Sequence, residues 1–542
     1  MVTIIVESPS KIKKVRQYAE NTLKDKVACV ASLGHIGSFS KEITIDDIKK
    51  FNFSYTLDKK KLKNLKNILS MAQKSKTIYI ATDPDREGEA IGFRLKEYLT
   101  KNKVSKDKIK RINLNEITQD GVKKALNNVT DINDYAVKAQ ITRAALDQIT
   151  GFLTSRMLWQ ALSGMNLSAG RVQIPALRFI NERDTIIANF KPEPYVEITL
   201  HLNKNNIDFK ASRRFKNRDL KIPEEIYKKY QSLKKIKVLD VMSKKETIPA
   251  PSPYHTQSAQ SDIVKLLKIP VKTAQSILQS LYEKGFITYH RTDSTRVSDE
   301  GISIAKEIID KIDKNLFEAH KGKSGEQDAH EAIRVTYAFE DTSELNDLER
   351  KVYNLIRDRF IVSQMKPAIV NKTIITFEDE FKATGVSIIY AGFMQYNKQK
   401  QGDSILPKLV KGDIINIKKI DKENKQTQPP DHYSVPTLLA KLKASGIGRP
   451  STYAYIVDTL LKREYVKDVK GKLYQTEKGK AVINFLFNSY PIKYVFPEFT
   501  AEMEKMLDEI AVGRRSVAQI KDYLFNLKVE LDNKLKEVSK VS

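Results

Sequence analysis

The residues Val2-Thr3-Ile4-Ile5-Val6 form a short β-branched run that stops at Glu7-Ser8-Pro9-Ser10, and the spacing turns helical over residues 11–20. A second unit repeats the plan. Thr77-Ile78-Tyr79-Ile80-Ala81 reads as a strand, an acidic loop follows, and residues 90–99 read as a helix. Strand–loop–helix units in series predict a parallel sheet covered by helices. Such sheets gather ligand groups at the carboxyl ends of their strands. Glu7 and the cluster Asp83-Pro84-Asp85-Arg86-Glu87 both fall there. The lysine-rich run over residues 59–66 reads as a solvated helix face.

Helical spacing covers residues 134–189 and breaks at Phe190-Lys191-Pro192-Glu193-Pro194. Strands are expected over 195–202 and 236–241, and Pro249, Pro251 and Pro253 mark a boundary. Helices are expected over 258–283 and 301–313, strands again within 374–412, and mostly helix after Pro429-Pro430. Strand-rich segments on both sides of a helical block predict one β domain built from two separated stretches. No repeat of 20–50 residues is visible.

Composition narrows the class. The chain has 542 residues, 41% hydrophobic and 30% charged, enough to bury a core and to form about three or four domains. Cys29 is the single cysteine, which excludes a disulfide framework and Cys-rich zinc modules and suits a reducing cytosol. The opening apolar run is too short for a signal peptide, and no stretch reaches membrane-span length. A cytoplasmic protein without a membrane partner is expected. Lys and Arg number 94 against 67 Asp and Glu, so the net charge of +27 favours a polyanionic partner.

Asp83, Asp85 and Glu87 place three carboxylates within five residues. Packed together they repel unless a hard cation such as Mg²⁺ intervenes. A solvated acidic turn is the alternative, but a strand precedes the loop and Glu7 ends another strand. No complete phosphate-binding loop is present: Gly322-Lys323-Ser324 holds only its last part, with Phe317 where the first glycine belongs.

Several segments, in order, resemble the motifs of type IA DNA topoisomerases. The N-terminal ones are Val6-Glu7-Ser8-Pro9-Ser10-Lys11, Gly34-His35-Ile36, Asp83-Pro84-Asp85-Arg86-Glu87-Gly88-Glu89 and Asn115-Glu116-Ile117-Thr118. Ser168-Ala169-Gly170-Arg171-Val172-Gln173 and Gly285-Phe286-Ile287-Thr288-Tyr289-His290-Arg291-Thr292-Asp293-Ser294 follow. His330-Glu331-Ala332-Ile333-Arg334 and Gly446-Ile447-Gly448-Arg449-Pro450-Ser451-Thr452-Tyr453 complete the series. The match runs from Val2 to about Gly513, and its opening motif resembles the bacterial topoisomerase I branch.

The resemblance implies a multi-domain α/β, α and β protein: an N-terminal, Rossmann-like Toprim domain in a ring-shaped core. Its expected parts are a Toprim domain over 1–133 and a helical single-strand-binding domain over 134–192 and 413–542. A β-rich hinge is expected over 193–250 and 372–412, and a helical domain with the reactive tyrosine over 251–371. The single cysteine leaves zinc-ribbon modules out of this expectation.

The implied activity is ATP-independent cleavage of one strand through a 5′-phosphotyrosine, passage of the other strand and religation, which relaxes negative supercoils. Tyr289 would be the nucleophile, one of 23 tyrosines in the chain. A phenol ionises near pH ~10 and needs cationic neighbours. Arg291, two residues on, points the same way if the segment is extended. By the same resemblance Lys11 assists at the phosphate, and Glu7 is the general acid or influences the metal. His330 orients the attack or is a core histidine. Mg²⁺ would sit at Glu7, Asp83, Asp85 and Glu87.

DNA contacts are implied for His35, Arg143, Asp147, Phe152, Trp159, Ser168, Ala169, Gly170, Arg171, Val172, Gln173, Arg291, Arg449 and Thr452. Arg143 and Asp147, at i and i+4, can pair on one helix face, and Phe152 can stack on a base. Ala144, Phe93-Arg94 and His255 depart from the pattern of relatives. The expected partner is DNA with unpaired segments, bound by a monomer without a nucleoside triphosphate. Two alternatives remain: a Toprim primase or nuclease working without Tyr289, and a DNA-binding protein that has lost catalysis.

Overall fold

A computed structural model describes residues 1–39, 42–162, 167–216, 221–325, 330–396 and 406–541. Strand β1 (Val2–Val6) is buried along its whole length because it lies between two parallel partners with helices on its faces. Helix α1 (Ile12–Leu23) leads to β2 (Val27–Ala31), and β3 (Thr77–Ala81) leads through the acidic loop into α2 (Arg86–Lys101). With β4 (Ile109–Arg111) the sheet order is β2-β1-β3-β4. Val6 pairs with both Ala31 and Ala81. Glu7 and the Thr82-Asp83 segment therefore leave the sheet at the same edge. The helix over residues 62–73 brings Lys61 to that side, where its Nζ donates to the carbonyls of Leu33 and His35 at 2.6 Å each. The lysine run is thus partly a loop anchor rather than only a solvated face.

The expected helical block over 134–189 is two helices, α3 (Asp134–Ala161) and α4 (Gln173–Ala188). Asn133 starts the first by accepting the N–H groups of Tyr135 and Ala136. A closed six-stranded barrel follows, built from β5 (Pro194–Lys204), β6 (Ile207–Lys216), β7 (Lys235–Ile248), β8 (Ala368–Phe377), β9 (Lys382–Tyr390) and β10 (Ile414–Gln426). Inward side chains such as Ile198, Leu200, Phe209, Ala211, Ile375, Phe377 and Phe381 fill it. Part of the 374–412 stretch lies outside the described residues.

Strand β10 corrects the expected boundary at residue 413. It pairs with β5 from Asn416↔Asn203 to Gln426↔Pro194 and with β7 at Ile414↔Lys237. Its outward positions carry Lys418, Lys422 and other charged residues, so only Ile415 and Ile417 betray the buried face. The barrel likewise begins β8 at Ala368, before the expected 372.

Two helical units hang from the barrel, each on a pair of antiparallel strands. The β7–β8 pair, ending at Ile248↔Ala368, leads to α5 (Thr256–Leu267), α6 (Val271–Glu283), α7 (Asp299–Asp313) and α8 (Asp347–Ser363). The expected helix over 258–283 is broken here. Lys268 turns left-handed at φ 56°, and Pro270 cannot donate within a helix. The β5–β10 pair leads to α3, α4, α9 (Val435–Ala444), α10 (Tyr453–Lys462), α11 (Pro497–Ala511) and α12 (Val517–Val541). A hairpin of Val466–Val469 and Lys472–Gln475 interrupts this otherwise helical stretch.

The two units meet again where Lys443 Nζ lies 2.7 Å from His255 Nε2 and Lys272 lies 3.5 Å from Asp458. The path from barrel through both units and back closes a ring. One buried core joins the α5–α8 unit to the α/β layer: Val2, Ile4, Val6 and Val15 share it with Ile263, Leu278, Tyr282 and Tyr289.

Candidate active site

The segment carrying Tyr289 is held by strand-like bonds on both sides. Thr288 N donates to Arg334 O at 2.9 Å, and Tyr289 N donates to Asn115 O at 2.8 Å. Three of the singled-out motifs thus lie side by side. Gly285 permits this approach: its φ is +78°, and a Cβ there would sit 2.3 Å from Ile117 O. Tyr282 hydroxyl adds a bond to Leu114 O at 2.5 Å, and its ring meets that of Tyr289 edge-on at 5.0 Å.

On the facing layer, Asp85 caps α2 by accepting Gly88 N at 2.8 Å. Gly88 is required, because a Cβ would sit 1.9 Å from Asp83 O. The second oxygen of Asp85 accepts both the Tyr289 hydroxyl at 2.6 Å and Arg291 Nη1 at 3.2 Å. Side chains i and i+2 of the tyrosine segment therefore converge on one carboxylate oxygen. Burial acts to raise the Asp85 carboxyl, but Arg291, the Tyr289 hydroxyl and Gly88 N–H outweigh it and hold it at about 2. Burial and then the Asp85 charge push the Tyr289 phenol well above its ordinary range, against the pull of Arg291. Arg291 Nε is buried and has no partner among the described residues.

Lys11 is buried and ion-paired with Asp83 Oδ1, with its Nζ 4.7 Å from the centroid of the Tyr282 ring. Glu7 Oε2 accepts Asp83 N at 3.3 Å. Burial first, then Asp83 and Asp85, push the Glu7 carboxyl up to about 8, so it carries a proton at neutral pH. The His330 ring lies 5.3 Å from that of Tyr289, its Nδ1 is buried without a partner among the described residues, and burial lowers its basicity. Tyr289, Arg291, Glu7, Lys11, His330, Asp83, Asp85 and Glu87 are all brought to this one seam.

The described residues contain no group of three or more His, Cys, Asp or Glu side chains arranged to hold a metal ion. Asp85 is fully engaged by protein donors, and Glu7 favours its protonated form. Asp83 Oδ2, however, is buried without a hydrogen-bond partner among the described residues, and Glu87 stands at the partly exposed rim. Mg²⁺ is commonly bound through one or two carboxylates with retained waters, and Asp83 with Glu87 fits that donor set.

The expected DNA-contact residues divide. His35 is exposed at the rim of a cavity of about 380 Å³ that Arg94, Gln140, Ala144 and Asp147 also line. Arg143, Arg291 and Arg449 line a smaller cavity of about 30 Å³ with Asp85, Arg86 and Glu87. Thr452 Oγ1 accepts Arg449 N at 2.8 Å and so fixes that loop. Trp159 is half exposed, with its Nε1 donating to Leu167 O at 2.6 Å. Phe152 is half-buried, with the Arg156 guanidinium 5.5 Å from its ring centroid.

Arg171 is a correction. It is fully buried, donating to Asp147 Oδ1 at 2.5 Å and Glu504 Oε1 at 2.7 Å, and presents no surface to a strand in this conformation. Asp147 is shared: its other oxygen lies 3.7 Å from Arg143 Nε, so the expected i, i+4 pair is present beside the Arg171 bond. The neighbouring backbone is committed as well. Ser168 N donates to Tyr465 Oη, Ala169 N to Ser155 Oγ, and Gly170 O accepts Ile174 N. Gln173 Nε2 closes the loop on Ser168 O, and Val172 stands at the N-cap position of α4 without a side-chain capping bond. Sequence reasoning missed Tyr282, Arg86, Glu504 and Asp508. For the last two, a signal existed: acidic residues four apart on one helix of a basic chain.

A family profile described as DNA topoisomerase matches residues 131–522, and one described as Toprim domain matches residues 2–117. The chain is 36% identical over 534 residues to DNA topoisomerase 1 of Aquifex aeolicus (strain VF5), covering 95% of this chain and 96% of that one. Its fold superposes on full-length topoisomerase I from Thermotoga maritima with a TM-score of 0.85 and 32% identity, covering 98% of this chain and 90% of that one.

Proposed function

The chain belongs to the type IA DNA topoisomerases, and we propose that Tyr289 is the nucleophile with which it cuts one strand. The supporting observation is the Tyr289 hydroxyl held beside Arg291 on Asp85, at the seam between the α5–α8 unit and the α/β layer.

Tyr289 Oη attacks the phosphorus, forming a tyrosyl phosphodiester as the bond to O3′ breaks. Asp85 Oδ2 orients the hydroxyl but is too weak a base to keep its proton, which is lost to water as the P–O bond forms, while Glu7 delivers its proton to the departing 3′ oxygen. Arg291 and Lys11 offset charge on the phosphorane. The DNA keeps a 5′-phosphotyrosine and a free 3′-hydroxyl. The bond energy is conserved for religation, and no nucleoside triphosphate is needed. His330 packs on the nucleophile's ring and orients it.

Toprim domains in general bind Mg²⁺. Here Asp83 and Glu87 would hold it, and when bound it supplies positive charge that fixes the cut ends for rejoining. No described helix is long and apolar enough to cross a membrane. The partner is unpaired strand in negatively supercoiled DNA, bound by a cytoplasmic monomer.

Tyr289→Phe tests the assignment, because it removes one oxygen and little packing. The variant is expected to form no covalent adduct with single-stranded DNA after a denaturant quench, while binding within a few-fold of the parent. An adduct persisting, or mapping to another tyrosine, would falsify the assignment.

A further inference from the structure

Arginines from separate parts of the chain face the cavity that begins at Asp85. Arg86 follows Asp85 at the head of α2, Arg143 lies on α3, and Arg449 precedes α10. Two of them share one acid. Asp508, on α11, is ion-paired through Oδ1 with Arg86 Nη2 and accepts Arg449 Nη2 through Oδ2 at 2.6 Å. Arg86 is 15% exposed, Arg449 14% and Asp508 23%, whereas the neighbouring Arg171 is closed off at 0%. The Asp508 group is therefore open to exchange with a partner from outside. A carboxylate offering one oxygen to each of two guanidiniums has the valence of a phosphodiester offering its two anionic oxygens.

We propose that Asp508 occupies a phosphate-binding site for the DNA strand, holding Arg86 and Arg449 in place until a backbone phosphate displaces it. The proposal rests on reading Arg449 as strand-facing. It adds Arg86 as a second phosphate ligand and gives Asp508 the part of an internal competitor. The carboxylate keeps two guanidiniums at a fixed spacing, and it taxes binding, because only the fraction of molecules with the pair released can accept DNA. Once displaced, its negative charge stays near the bound strand and offsets about one unit of the arginines' charge.

The test is binding of a fluorescent single-stranded oligonucleotide to the full chain in EDTA, over a series of KCl concentrations, for the parent, Asp508→Asn and Asp508→Ser. Both neutral variants are expected to bind about three- to tenfold tighter. Their plots of log affinity against log salt should steepen by about one. A thermal melt identifies any variant that has not folded, and the other then carries the measurement. If Asp508 merely ties α2 to α11, its loss loosens the arginines and weakens binding. Affinity that does not rise, or a slope that does not steepen, overturns the proposal. Neither result touches the assignment of Tyr289, which the covalent adduct tests separately.

Discussion

Arg291 and Arg171 are both gripped by carboxylates, yet the two regions around them are built for different ends. At the Tyr289 seam, Arg291 has one bonded edge and an Nε without a partner among the described residues, is 21% exposed, and shares its acceptor with the Tyr289 hydroxyl. In the core between α3, α4 and α11, Arg171 has no exposure and spans Asp147 and Glu504 across three helices. Thr500 Oγ1 further bonds the Arg171 carbonyl at 2.8 Å. Both residues belong to segments resembling family motifs, and burial is what separates the arginine proposed to act on the phosphate from the one enclosed in the core.

Substitution should separate the two regions most sharply at Arg171. Arg171→Ala strands the buried Glu504 carboxylate and is expected to cost about 3–5 kcal/mol, seen as a large fall in melting temperature. A variant that melts like the parent but loses DNA binding would reverse the roles given to the two arginines. Arg291→Ala should melt nearly as the parent does. Its cleavage rate is expected to fall by about 10²–10³, the usual cost of losing a donor to developing negative charge. Equal losses in cleavage and stability would erase the contrast.

Arg143→Ala, at the cavity between the regions, should reduce the salt slope of single-strand binding by about one. An unchanged slope would place it with Arg171. The remaining contrast is with pH. Burial acts to raise the Glu504 carboxyl, but Arg171, Arg143 and Arg449 outweigh it and hold the group at about 2, below its free value of 4.5. The stabilisation is thus complete above pH 4.5 and is lost as pH falls toward 2. The melting-temperature advantage of the parent over Glu504→Gln should shrink across that window. A constant difference would mean that the carboxylate charge contributes nothing.

The short buried strands β1 and β3 were legible because their apolar runs are unbroken and end at turn residues. So was the meeting of Glu7 with the acidic loop, since parallel strands deliver their carboxyl ends to one edge. Strand β10 was not, because its outer face is charged and its pairing partners lie some 200 residues away in sequence. A motif names the residue without its surroundings, which is why Arg171 was expected at the DNA surface. Asp508 stayed out of view because its partners Arg86 and Arg449 converge only after folding.

The barrel joins each helical unit through paired strands rather than through a single flexible linker, with Ile248↔Ala368 at one exit and Pro194↔Gln426 at the other. A two-stranded ribbon bends easily across its face but resists shear along its hydrogen bonds. Each unit therefore leaves the barrel on two strands held in register, and any swing of a unit must be taken up by both strands together. Double-stranded exits at both ends keep the two units in a fixed orientation about the barrel, which a single-strand linker would leave free.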